Sequence, residues 1–124
     1  MDRSTARRTF AHRARLALSP GADRQAPGGA VTLALCGSWE HPPPCPLAPH
    51  NTRVDGADDA LEVRVVFATA PDDETEVRSR IDGALAGGVC DGPDGTRTRW
   101  TLVTSAPAAV TEAESAHAAR LVAT

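Results

Sequence analysis

The chain has 124 residues, 41% of them apolar and many of those alanine, which suits one domain closing a modest core of valine and leucine. All 13 basic residues are arginine, and lysine and tyrosine are missing, so no Schiff-base lysine, phosphate-loop lysine or tyrosine acid operates here. A net charge of -3 is too mild to imply a polyanionic or polycationic partner, and two Trp with two Phe offer almost no stacking surface for nucleic-acid bases.

In residues 4–18, Phe10, Ala14 and Leu18 recur every fourth position among Arg7, Arg8, Arg13 and Arg15, which predicts a weak amphipathic N-terminal helix. The run from Thr5 to Phe10 resembles the start of a twin-arginine export signal. His12, Arg13 and Arg15 break the apolar stretch such a signal needs, and Pro20-Gly21 ends it, so that reading is rejected. Residues 19–29 are Pro, Gly and polar without periodicity and read as a linker. The expected division is an N-terminal arm and linker over 1–29 and a single α+β domain over 30–124.

From 30 to 39, Val31, Leu33 and Leu35 alternate with Thr32, Ala34 and Cys36, the period of a half-buried strand. A Pro-rich connection follows, closed by the turn chemistry of residues 55–59. Leu61, Val63, Val65 and Phe67 then alternate with Glu62, Arg64 and Val66 in a second strand. Asp73 and Glu76 have capping-box spacing, and Val77, Ile81 and Leu85 form the stripe of a helix stopped by Gly87-Gly88. Glu74 with Arg78 and Glu76 with Arg80 are favourable pairs four apart. Residues 91–95 read as a turn and 98–105 as a third strand with Trp100 and Leu102 on one side. Thr111 and Glu114 box a last helix running to about residue 122.

The predicted order is strand-strand-helix-strand-helix: a split βαβ, ferredoxin-like variant of three to four strands with helices on one face. A fourth strand is expected near 52–55. Edges left open on so small a sheet predict a homodimer. Arg64 and Arg99 fall on the open face, towards an anionic ligand or water.

Chemistry-bearing residues crowd one stretch. Residues 36–50 hold half of the prolines, two of three cysteines and two of four histidines. Cys36, His41, Cys45 and His50 supply the four N and S donors of a tetrahedral zinc site. Three prolines in a polyproline II path, at about 3.1 Å per residue, would set the Cα atoms of His41 and Cys45 roughly 12 Å apart, so ligation needs a bend. The metal reading therefore rests on His41, Cys45 and His50, with zinc or another transition metal as the cofactor. An alternative makes Cys45 a nucleophile with His41 or His50 as base, without a recognisable oxyanion loop. The plainest alternative is a rigid surface loop whose histidines make ordinary hydrogen bonds. A further alternative is an RNA- or ribosome-associated factor using the arginine-rich arm, though the chain is acidic as a whole and nucleic acid is a disfavoured partner.

The remaining clusters have simple structural explanations. Asp72, Asp73 and Glu74 suit a helix start, Asp91 and Asp94 a turn, and His117 a core edge in register with Ala113 and Leu121. Three widely spaced cysteines read as reduced thiols in the cytoplasm, with Cys36–Cys45 left as the one pairing to consider. No run reaches the roughly 20 apolar residues of a membrane span. The leading expectation is a small cytoplasmic binding or accessory module, whether or not it is also an enzyme, with the 39–50 loop as its distinctive surface.

Overall fold

Arg8–Leu18, expected to be helical, forms the 11-residue strand β1 at the centre of the sheet. In this computed structural model the described residues are 7–36, 48–92 and 95–122, with the side chain of Cys36 outside that set. A spacing of four fits both the helical period and the strand period of two, so Phe10, Ala14 and Leu18 could not separate them. Leu16 does: with His12 it completes an even-numbered face that is largely buried, while Arg13 and Arg15 project from the other.

The next segment reverses the expectation in the opposite sense, because Ala26–Cys36, which spans the end of the expected linker 19–29 and most of the expected strand 30–39, is the helix α1. Asp23 starts it: its carboxylate accepts from the Gln25 amide at 2.9 Å and its carbonyl from the Ala26 amide at 3.1 Å. Pro27 lies in the first turn, where a missing N–H costs nothing. Val31 and Leu35, one turn apart, are buried. A short, nearly continuous apolar run carries little period information, and the Asp and Pro before it are the helix-start signal that settles the choice.

The remaining elements are β2 (His50–Asp55), β3 (Leu61–Thr69), α2 (Glu74–Ala86), β4 (Val89–Asp91), β5 (Arg97–Ala108) and α3 (Ser115–Val122). The strands form a curled antiparallel sheet in the order β2-β3-β1-β5-β4. β1 pairs Phe10 with Phe67 on one side and Ala11 with Ala108 on the other, with a bulge between Arg15 and Leu16. Helices α1 and α2 cover the face bearing Leu16, Leu61, Val63 and Phe67. Helix α3 seats Ala118 on Ala11 and Val66 of the opposite face.

The fold class expected from sequence is thereby corrected. Five strands, with helices on both faces, replace the small three- to four-stranded ferredoxin-like sheet with helices on one face. Moving residues 8–18 from helix to strand supplies the central strand. The three-residue β4, read as turn, supplies the fifth.

Helix α2 matches its pattern closely: Val77, Ile81 and Leu85 are fully buried, each worth roughly 1.5–3 kcal/mol of apolar burial. Glu74–Arg78 and Glu76–Arg80 close at 2.7 Å. Asp73 makes no side-chain cap bond, and a 3-10 turn over Pro71–Asp73 leads into the helix instead. The exit requires glycine, since Gly88 has φ +69° and a Cβ there would lie 2.7 Å from the Trp100 carbonyl oxygen. That close approach lets the Trp100 amide donate to the Gly88 carbonyl at 2.9 Å and the indole Nε1 donate to Leu85 at 2.8 Å. Thr111 and Glu114 form the expected capping box ahead of α3.

Candidate functional site

Of the expected metal ligands, only His50 falls within the described residues; His41 and Cys45 lie outside them. His50 opens β2 against α1. Its Nδ1 faces the Ala48 carbonyl oxygen at 3.2 Å, so that nitrogen carries the hydrogen, and Nε2 at 3.1 Å from Thr32 Oγ1 accepts from the hydroxyl. Among the described residues no group of three or more His, Cys, Asp or Glu side chains is placed to hold a metal ion. Cys90 is free and buried on the floor of a groove of about 750 Å³ between α1, α2 and β4. Desolvation, followed by the charges of Asp91 and Asp23, pushes its thiol above the ordinary value, so it is neither a ready nucleophile nor a thiolate ligand.

A second cluster was missed in the sequence because its members come from three distant segments. His12 of β1 is 2% exposed, and its Nε2 lies 3.0 Å from Asp82 Oδ1 and 2.8 Å from Ser105 Oγ. Ser105 in turn donates a short hydrogen bond to Asp82. On the other ring nitrogen, Arg78 Nη1 approaches Nδ1 at 3.1 Å while also donating to the Ala11 carbonyl at 2.6 Å. Arg78 is fixed further by Glu74 and stands over the rings of Phe10 and Phe67, 5.8 and 5.3 Å from their centroids.

Ser, His and Asp together suggest a hydrolytic relay, and the geometry refuses it. In such a relay the carboxylate and the nucleophile occupy opposite ring nitrogens, whereas here both share Nε2 and a guanidinium faces Nδ1. A donor at Nδ1 keeps that nitrogen unprotonated, so the hydrogen is on Nε2 and the imidazole has no lone pair to offer Ser105. Burial, outweighing the attraction of Asp82, holds the imidazole below the ordinary histidine value. The trio pins β1, α2 and β5 together.

The open face of the sheet carries a different pattern. Arg53 of β2 stands opposite Arg64 of β3, and Arg64 opposite Arg13 of β1, so three arginines lie abreast on neighbouring strands. Like charges in cross-strand register are destabilising unless neutralised. Arg64 is neutralised by a bidentate pair with Glu114, at 2.9 and 2.8 Å, and by a bond to the Ala109 carbonyl; Arg53 meets Asp55 at 3.1 Å. Arg15 lies 3.8 Å from Glu62, and Arg97 grips Asp91 at 2.7 and 3.1 Å. Arg13 and Arg99 are exposed and have no ion-pair partner among the described residues. Arg64 and Arg99 share this face, but only Arg99 is open to solvent; the Arg64 side chain, expected to face a ligand or water, is 12% exposed beneath Glu114 and the Ala109 carbonyl.

No protein-family model matches the chain, nor does any curated protein or solved structure. No helix among the described residues is long and apolar enough to cross a membrane.

Proposed function

We propose that this chain is a small recognition module whose open sheet face binds a protein partner carrying exposed carboxylates. The observation that carries the reading is the arginine row across β2, β3 and β1, with Arg13 of that row exposed and without an ion pair among the described residues, as is Arg99 on β5, whose nearest charge influence is the Arg97-bound Asp91. A row that violates cross-strand charge pairing is expected where a partner completes it. Two features favour a protein over nucleic acid. Asp55, Glu62 and Glu114 are interleaved with the arginines, a mixed pattern that suits another mixed surface and repels a uniform polyanion. Phe10, Phe67 and Trp100 all point into the core, so among the described residues no aromatic lies on the face to stack a base. The reading places the protein in the cytoplasm, in keeping with the free, buried Cys90, and includes a homodimer.

Fluorescence anisotropy with a labelled peptide in which glutamates are interleaved with neutral and basic residues tests it. Binding should weaken as salt rises and fall on the order of tenfold in Arg13→Glu/Arg99→Glu. No binding by the parent protein, or tighter binding of a labelled RNA duplex, refutes the acidic-protein reading.

A transition-metal role for His41, Cys45 and His50 is the second reading, favoured by one observation. An imidazole whose Nδ1–H is held by a backbone carbonyl presents Nε2 in the protonation state that metal-ligating histidines use. Zinc would have to displace the Thr32 hydroxyl from that nitrogen. Elemental analysis of protein purified without chelator decides it: stoichiometric zinc, lost in both Cys45→Ser and His50→Ala, supports the site, and metal-free parent protein ends the proposal.

A further inference from the structure

We infer that the outer edge of β5 pairs with the same edge of a second copy of this chain, joining two five-stranded sheets into one. Strand β4 covers β5 only at Arg97–Arg99, and the Trp100 amide adds the last backbone bond on that side, to Gly88. From residue 101 to 108, β5 is paired with β1 on its inner side and with no strand among the described residues on its outer side. The outward amides and carbonyls of that stretch form a template for strand addition.

The charge pattern selects the occupant. Natural edges are guarded by charged side chains, and the other two edge strands of this sheet follow that rule: β2 carries Arg53 and Asp55, and β4 carries Asp91. Residues 101–108 carry no charge at all in a chain that is 23% charged, and their guards are Pro107 near the far end and the bulge at Val103. An uncharged strand asks for no partner of opposite sign. It is compatible with itself in antiparallel register, where Thr and Ser side chains meet Thr and Ser, and a two-fold axis closes the assembly after one copy. Val103 marks the centre. It is the extra residue where the β1–β5 register shifts, and at 58% it is the most exposed large hydrophobic side chain among the described residues. The surface lies along the sheet edge and is separate from the arginine row, so this inference gives the homodimer of the proposed reading its surface without resting on the acidic-partner binding.

Sedimentation equilibrium of the intact chain over a range of concentrations is the test. The expected result is a species of twice the 12.9 kDa chain mass that dissociates on dilution. Val103→Lys should shift that equilibrium to monomer with the circular dichroism spectrum unchanged, while Asn51→Lys on the β2 edge leaves the dimer intact. Hydrogen exchange on the unaltered protein decides the matter even where Val103→Lys fails to fold: amides between residues 101 and 108 should gain protection as concentration rises. A parent protein that stays monomeric, a dimer lost in Asn51→Lys and kept in Val103→Lys, or protection independent of concentration would overturn the inference. Arg13→Glu/Arg99→Glu, which weakens the proposed acidic-partner binding, should leave the dimer untouched.

Discussion

Replacing Glu114 with alanine isolates one side of a nearly buried ion pair. The Arg64 and Glu114 side chains are 12% and 9% exposed, and the carboxylate accepts two guanidinium bonds and one from the Thr111 amide at 2.9 Å. The bonds from Arg64, foremost, hold the Glu114 carboxyl down to about 2 from an ordinary 4.5. At about 1.4 kcal/mol per pH unit, that depression corresponds to about 3 kcal/mol of native-state stability. Removing one partner of a buried pair costs about 3–5 kcal/mol, and the site's position at the rim of α3 favours the lower end. Against a total of roughly 5–15 kcal/mol for a domain this size, the loss is large.

The sign follows from the direction of the shift. A carboxyl with a depressed folded-state value contributes fully above its unfolded value, and the contribution is lost as pH falls from about 4.5 to about 2. Urea unfolding of the parent and Glu114→Ala proteins at neutral pH should therefore differ by about 3 kcal/mol, with the gap narrowing steadily below pH 4.5. A neutral-pH difference under about 0.5 kcal/mol, the range of ordinary surface substitutions, would show that the pair adds nothing to stability. A gap that is constant with pH would show that Glu114 acts through packing alone.

Two further outcomes are expected. Because burial lowers the His12 value from 6.5, its stabilising contribution is complete above that pH and is lost as pH falls below it; unfolding free energy should drop between pH 7 and 5, and His12→Leu should flatten that slope in urea titrations. A variant with the parent's slope would assign the drop to other groups. The Thr52 hydroxyl is buried without a hydrogen-bond partner and sits against Gly28 of α1, so Thr52→Val should raise stability by about 1 kcal/mol in thermal unfolding; a decrease would mean that the hydroxyl is satisfied in solution.

Where a segment carried two agreeing signals, the sequence could be read correctly. In β3, alternation coincides with β-branched residues. In α2 the Val77, Ile81 and Leu85 stripe coincides with an acidic start and a glycine stop, and Thr111 with Glu114 announces α3. Where signals conflicted, the reading failed. Spacing by four satisfies two periods at once in β1, and in α1 the alternation of Val31, Leu33 and Leu35 points to a strand while the start signal at Asp23 and Pro27 sits in a segment that reads as linker. The candidate site suffered in the same way. Arg64 and Arg99 were legible on the open face once their strands were recognised. Arg13, read on a helix, appeared scattered among its neighbours and showed its role only when the strand register set it beside Arg64. His12, Asp82 and Ser105 had no local signature, because their meeting depends on which strand occupies the middle of the sheet.

The central position of β1 also bears on how the chain can be made. Its residues are synthesised before either partner, yet they bond to residues 61–69 on one flank and to 100–108 on the other. No hairpin can satisfy them early, so the chain through residue 108 must be released before β1 finds both neighbours, and closure of such distant pairings is intrinsically slow. Until then an arginine-studded strand waits without a sheet. Nascent-chain truncations ending before residue 100 should stay sensitive to protease across residues 8–18, and release of the chain through β5 should abolish that sensitivity in a single step.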